Sequence, residues 1–456
     1  MENTLTQGTP YKKIIRFTLP LLLGNLIQQL YYTADAYIVS RTLGVEAFAG
    51  VSSTSGITSL IIGFAQGLTV GLSILVSKHF GARDMSKVQS MYVNNMLISL
   101  IAVVLLTALS LFGISTLLNV LQTPSDIWYY AHDFLQIIFL GIITSVMFNF
   151  FSNTMRALGD SRTPFIYLLI GAVLNIVLDV ILVKYTPLGV QGAALATILS
   201  QGAAAVLCFM SIRKKYSFLS LNGYKKQINK DIILSNLKLG LPVAFQASII
   251  ALGVIIMQYA VNDMGTVAVA AYAVASRIEG MAVEPLRSFG MAMTTFTAQN
   301  YGGNKYKRII KGVHQCLLIS IGMAIALGVM MLFAGKQLTA LFVGTNQSEI
   351  LELSHTFLII HGSLYILLSF LFVYRFTLQG LGKSSIPTIS GVMELLMRVG
   401  AAILLVPSFG FIGATIATPL SWIGALIPSA IAYFIASKHL KKQINLNEFN
   451  NVMRQY

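Results

Sequence analysis

Charge is what this sequence has least of. Asp, Glu, Lys and Arg make up 10% of its 456 residues, where a soluble domain carries about a quarter. With 55% hydrophobic residues, that poverty excludes an ordinary soluble enzyme or a solvated disordered chain. Cysteine is nearly absent too: Cys208 and Cys316 stand far apart inside apolar stretches, which excludes a disulfide framework or a thiolate metal site and marks both as core residues. The six histidines, His79, His132, His314, His355, His361 and His439, share no ligand or catalytic spacing, so a membrane-embedded enzyme is not expected. No Gly-x-x-x-x-Gly-Lys-Ser/Thr loop is present, which argues against ATP as a direct energy source, and no cofactor is implied.

What the chain does have is long apolar runs. Twelve stretches, near 14–39, 51–77, 88–112, 127–155, 163–183, 189–212, 234–261, 268–297, 309–333, 350–379, 386–406 and 410–437, are long enough to cross a bilayer, for which around 20 residues suffice. The expected fold is an all-α polytopic membrane protein with both termini cytoplasmic. The net charge of +15 fits this reading rather than nucleic-acid binding, because 23 Lys and Arg fall in cytoplasmic segments and three, Arg41, Lys184 and Lys336, in outer loops. The remaining five, Lys238, Arg277, Arg287, Arg375 and Arg398, lie in or beside spans. Lys12, Lys13 and Arg16 give the start a signal-like charge, but the run behind them is too long and has no small-residue cleavage site. It reads as an uncleaved first helix.

An internal repeat divides the chain. Leu19-Pro20 recurs as Leu241-Pro242, Gly81 as Gly302, Leu158-Gly159-Asp160-Ser161 with Pro164 as Leu381-Gly382-Lys383-Ser384 with Pro387, and Gly189, Gly192, Ala193, Ala196, Thr197 as Gly410, Gly413, Ala414, Ala417, Thr418, always at offsets of 221 to 223. Two six-span lobes are expected, 1–212 and 234–440, with a basic cytoplasmic linker at 213–233 containing Lys214, Lys215, Lys225 and Lys226, and a tail at 441–456. An even number of spans per half makes the repeat parallel. Parallel repeats of this kind belong to transporters that rock one bundle against the other. The small-residue runs starting at Gly189 and Gly410 suit close helix packing, and Pro20 and Pro242 permit kinks, with Pro20 a candidate hinge.

Two acids stand inside apolar runs, Asp35 and Asp179. A carboxylate at the middle of a membrane helix costs about 2.5–3.5 kcal/mol even on the lenient scale, so such residues face a protein interior or a wet cavity. Asn175 and Asp179 are four apart and share a helical face. Counting at 1.5 Å per residue puts Asp35 and Asp179 at a common depth of about 6–8 Å below the outer surface, with Thr197 roughly a turn deeper, level with Asn175. Four oxygen-bearing side chains thus converge in the outer part of the N lobe. The set suits sodium, a hard cation that prefers oxygen ligands, and equally a proton shared between acids. The repeat does not preserve it: Asp35, Asn175 and Asp179 map to Met257, Arg398 and Ala402.

The second half carries other charges. Glu284 with Arg287, and Glu394 with Arg398, are spaced to neutralise each other on one face. Glu279 has no opposite charge at such spacing and is a candidate for contact with a cationic substrate. Arg375 is also unpaired locally and suits a carbonyl or one of the acids; it and Gln28, roughly two turns from Asp35, are further candidate cavity residues. Met, Phe and Tyr number 18, 26 and 19 and could shape an adaptable pocket for apolar cations.

These segments, Leu19-Pro20, Tyr32-Thr33-Ala34-Asp35, Phe80-Gly81-Ala82-Arg83-Asp84, Arg156-Ala157-Leu158-Gly159-Asp160, Leu174 through Asp179 and Gly189 through Thr197, together resemble the multidrug and toxic compound extrusion (MATE) transporters over about 10–440. The resemblance implies a twelve-helix, two-lobed antiporter in the bacterial plasma membrane. It would expel organic cations in exchange for protons or sodium, with Asp35, Asn175, Asp179 and Thr197 at the cation site. It would act on small molecules, within lipid, as a monomer and without nucleic acid. The rival readings are a lipid-linked saccharide flippase of the same superfamily, whose anionic cargo would favour Arg and Lys over paired acids, and a passive channel.

Overall fold

In hydrocarbon every backbone N–H and C=O needs an internal partner, and a helix supplies it segment by segment. The computed structural model describes residues 4–220 and 227–453, with side chains to 446, and among these only helices and their connections occur, with no strand. Lys225, Lys226 and the end of the tail lie outside the described residues. The first half comprises α1 (Pro10–Leu43), α2 (Val45–Ser53) with α3 (Ser55–Gly81), α4 (Met85–Val120), α5 (Ser125–Leu140) with α6 (Ile142–Ala157), α7 (Arg162–Asp179) and α8 (Val190–Lys215). The second comprises α9 (Lys230–Asn262), α10 (Thr266–Gly302), α11 (Tyr306–Val343), α12 (Ser348–Ser363) with α13 (Tyr365–Gly380), and α14 (Ser385–Met453).

Each of the twelve expected stretches coincides with one of these helices, a helix pair or a part of α14, to within a few residues. Length and apolarity alone qualify eight helical runs, and the bent pairs α5–α6 (47°) and α12–α13 (51°) each qualify jointly. The polar-studded α1 and the division of α14 complete twelve crossings. α14 is two helices joined at Gly410, where φ is 54° and ψ −131°. Gly189, its repeat partner between α7 and α8, has φ 54° and ψ −129°. A positive φ costs glycine little and other residues much, so this turn is written into both halves.

The backbone repeats beyond that turn. Apart from Gly8, the described residues with positive φ fall into pairs at offsets of 221 to 223: Gly44 and Gly265, Arg83 and Asn304, Gln122 and Gly344, Gly159 and Gly382, Gly189 and Gly410. The small-residue runs act as packing faces in both halves, with Gly192 against the Leu182 carbonyl and Gly413 against the Leu405 carbonyl.

Compactness divides the described chain into two units, Leu19–Ser248 and Thr4–Thr18 with Ile249 onward. The expected lobe boundary was the linker at 213–233; the units instead change over inside α1 and α9. The start of α9 belongs to the first unit because Ile233, Leu237 and Ala244 pack with Leu68, Leu72 and Ile98, and Asn236 Nδ2 donates to Met91 Sδ at 3.5 Å. The start of the chain belongs to the second. Leu5 N donates to Gln299 Oε1 at 2.9 Å, Arg308 Nη2 donates to the Leu5 and Gln7 carbonyls at 3.0 and 3.2 Å, and Tyr11 N donates to Gln315 Oε1 at 3.1 Å.

Each unit has its own apolar core, around Leu135, Phe139, Ile142 and Ala193 in the first and around Phe357, Leu358, Tyr365 and Ala417 in the second. Large apolar side chains also cover the outside, among them Phe112 at 90% and Phe333 at 74% exposed. Their surroundings are therefore lipid. An alanine Cβ at position 413 would lie 2.2 Å from the Leu405 oxygen, whereas at Gly400 nothing stands within 4 Å. Gly413→Ala is expected to lower the unfolding temperature in detergent, at a cost of about 1–3 kcal/mol, while Gly400→Ala leaves it unchanged or raises it.

Candidate functional site

The first unit gathers the four residues expected to act together. α7 places Asn175 and Asp179 one turn apart, 1% and 0% exposed. α8 brings Thr197 alongside, and its Oγ1 accepts from Asn175 Nδ2 over a long 3.5 Å while donating to the Ala193 carbonyl at 3.2 Å. From α1, the Asp35 carboxyl faces that of Asp179 within reach of a shared hydrogen bond. Asp35 Oδ1, both Oδ atoms of Asp179 and Asn175 Oδ1 are buried and receive no hydrogen bond from the protein. Two carboxylates can only accept, so their meeting calls for a proton or cation between them.

Directly after Asp179 the helix widens into a π turn, Val180–Lys184. Such turns recur at functional sites because they re-aim the side chains beside them. A small cavity opens next to Asn175, lined in part by Tyr31, Asn175, Ser200 and Gln201. The Tyr31 hydroxyl also meets Gln28 and Gln201. Gln28 donates to the Tyr32 hydroxyl at 3.4 Å and so sits beside this cavity rather than in its wall. Tyr31 and Gln201 were missed in the sequence, where polar residues at helix-packing positions carry no distinguishing pattern. Pro20 lies inside α1, which continues through it, one residue beyond the changeover between units.

The second unit pairs its charges. Arg287 Nη1 donates to Glu284 Oε1 at 3.0 Å, as the spacing suggested. Arg375 is 3% exposed and donates to Glu394 Oε2 at 2.9 Å and Ser390 Oγ at 3.1 Å. Arg398 donates to Glu394 Oε1 at 3.3 Å and Ser421 Oγ at 3.2 Å. One buried carboxylate thus holds two guanidinium groups, and Arg375, placed in the sequence as a cavity candidate, is committed to this cluster. Glu279, which looked partnerless along its own helix, is 2.7 Å from His361 Nδ1. Sequence missed His361 because its acid is 82 residues away.

Comparison with known proteins places this architecture. A model of the family described as MatE matches twice, over residues 20–181 and 242–404, in the register of the internal repeat. The chain belongs to the MatE family. MATE proteins are transporters rather than enzymes, and this MATE protein is a multi-pass membrane protein. It is 31% identical over 346 residues to the probable multidrug resistance protein YpnP of Bacillus subtilis, covering 74% of this chain and 76% of that one. It is 24% identical to the probable multidrug resistance protein NorM of Thermotoga maritima, covering 96% and 95% of the two chains. The fold matches a MATE crystal structure in the bent conformation (24% identity, TM-score 0.87, 97% and 98% covered) and an outward-facing multidrug resistance MATE family transporter (24%, 0.88, 97% and 99%).

The arginine cluster makes its own prediction. Removing one partner from a buried ion pair leaves an uncompensated charge and costs about 3–5 kcal/mol. Glu394→Gln, which leaves two arginines facing each other, is therefore expected to depress the unfolding temperature far more than Arg375→Met, which leaves a neutral Arg398–Glu394 pair. Thermal unfolding in one detergent compares the two.

Proposed function

We propose that this protein exports organic cations across the bacterial plasma membrane, exchanging them for protons or sodium that bind at Asp35, Asn175, Asp179 and Thr197. The observation that carries this reading is the meeting of the Asp35 and Asp179 carboxyls, three of whose four oxygens are buried without a protein donor. Empty, the two acids repel each other. A proton or a sodium ion between them removes the repulsion and favours the arrangement in which α1 and α7 are drawn together. Asn175 Oδ1 and Thr197 Oγ1 supply further oxygen ligands for sodium, or fix the geometry of a protonated pair.

An ion that binds one arrangement better than the other shifts the equilibrium between them, and an export cycle needs such a shift. The names of relatives in Bacillus subtilis and Thermotoga maritima, both probable multidrug resistance proteins, support drugs as the cargo. The flippase alternative would draw on the Arg375–Arg398 cluster, but those guanidinium groups are already engaged by Glu394, Ser390 and Ser421. The exporter is proposed to work as a monomer, since the four ion-site residues all lie in one unit of one chain.

Purified protein in liposomes loaded with a fluorescent cation, given a proton or a sodium gradient separately, tests the reading. Wild type is expected to drive efflux uphill with one gradient. Asp35→Asn and Asp179→Asn should each abolish gradient-driven efflux, while Asn175→Ala weakens it less, because a neutral ligand holds an ion less strongly than a carboxylate. Normal coupling in both aspartate variants would remove the site from the mechanism.

Pro20 is proposed as a hinge in α1. Pro20→Ala restores a backbone hydrogen bond to Arg16 and favours a straighter helix. It should slow transport at equal membrane abundance while binding of the fluorescent cation persists; an unchanged rate would dismiss the hinge.

A further inference from the structure

His361 on α12 is fully buried, and both ring nitrogens are engaged. Nε2 lies 2.8 Å from the main-chain oxygen of Thr415. In a regular helix that oxygen would accept the N–H four residues later, but residue 419 is proline and has none. A carbonyl can only accept, so Nε2 carries a hydrogen. The other nitrogen, Nδ1, faces Glu279 Oε1 at 2.7 Å. Without a proton there, two lone pairs would meet at hydrogen-bond distance, so this line holds one. The proton sits on nitrogen, as imidazolium beside carboxylate, or on oxygen, as carboxylic acid beside imidazole.

We propose that Glu279 and His361 form a second proton-binding site, lying wholly in the unit that lacks the aspartate pair and joining α10, α12 and α14. Its ligand is a proton rather than a metal ion, because both imidazole nitrogens are committed and no nitrogen lone pair is left to bind one. Phe357 and Trp422 enclose the ring, at 3.8 and 5.4 Å between centroids. When the proton leaves to water, the imidazole cannot turn its N–H towards the acid, because Thr415 anchors Nε2. The contact breaks and frees Glu279, whose side chain is 14% exposed. The site therefore acts as a proton-operated latch on Glu279.

The other groups facing it are few. Tyr272 on α10 and Tyr365 on α13 lie within electrostatic reach of Glu279, and Arg398 on α14 within reach of Tyr272. α9 and α11 present Met257, Val261, Ala324 and Met331, which are apolar.

The chain has two tryptophans, and one touches the site. Trp128 stacks on His132 at 4.9 Å and would add its own titration, so Trp128→Phe is the parent for the test. Trp422 emission of that protein in lipid, followed from about pH 5 to 9, the range in which histidine-linked protons move, is expected to show a one-proton transition. His361→Gln and Glu279→Gln should each remove it; the amide introduced by Glu279→Gln can donate to Nδ1 and keep the fold if His361→Gln does not. Asp35→Asn should leave the transition in place even if export fails, which separates this site from the proposed coupling pair. A flat profile in the parent, or a transition that survives in either the His361 or the Glu279 variant, would overturn the proposal.

Discussion

The carboxyl groups of Asp35 and Asp179 face each other, and three of their four oxygens are buried with no donor from the surrounding protein. At an effective dielectric of about 20, two unit charges 4 Å apart interact by about 4 kcal/mol. That is a large part of what usually holds a domain together. The first unit tolerates the arrangement only if something positive relieves it, and everything near the pair is consistent with accommodating such a charge. The π turn begins at the residue after Asp179, Asn175 leaves a carbonyl oxygen unused, and a small, mostly apolar cavity opens beside it.

The second unit repeats the scaffold and solves a different electrostatic problem. Paired positive-φ residues and matched bends show that one backbone plan serves both halves. At the positions equivalent to Asn175 and Asp179 stand Arg398 and Ala402. The charges there are closed on themselves, Glu394 between two arginines and Glu279 against His361. Proline does part of this work, since Pro419 frees the very carbonyl that orients the histidine. The two halves thus share a repeated frame and differ in its polar contents.

Much of this was legible in the sequence because it follows from short-range rules. Span length gave the twelve crossings, and the offset of Leu19-Pro20 or of Gly189 gave the repeat. Helical phase and depth were enough to bring Asp35, Asn175, Asp179 and Thr197 together, since residues at equal depth on adjoining helices of one small bundle have few other places to go. What escaped depends on contacts between distant segments. Arg375 found its acid 19 residues on, at a spacing no helical face predicts, and Glu279 found His361 only through the packing of α10 on α12. The bends at Gly141 and Leu364 and the changeover inside α1 and α9 are likewise tertiary outcomes.

The central claim is that ion binding at the aspartate pair is coupled to binding of the exported cation. It is tested most directly by measuring binding of an organic cation to the purified protein in detergent, by calorimetry in buffers of different ionisation enthalpy and across a series of sodium concentrations. The account predicts that each binding event in wild type releases a proton or is weakened by sodium, and that this linkage disappears in the Asp35→Asn, Asp179→Asn double variant while binding itself remains. Binding in wild type that releases no proton and ignores sodium, or a linkage that persists undiminished in the double variant, would contradict it.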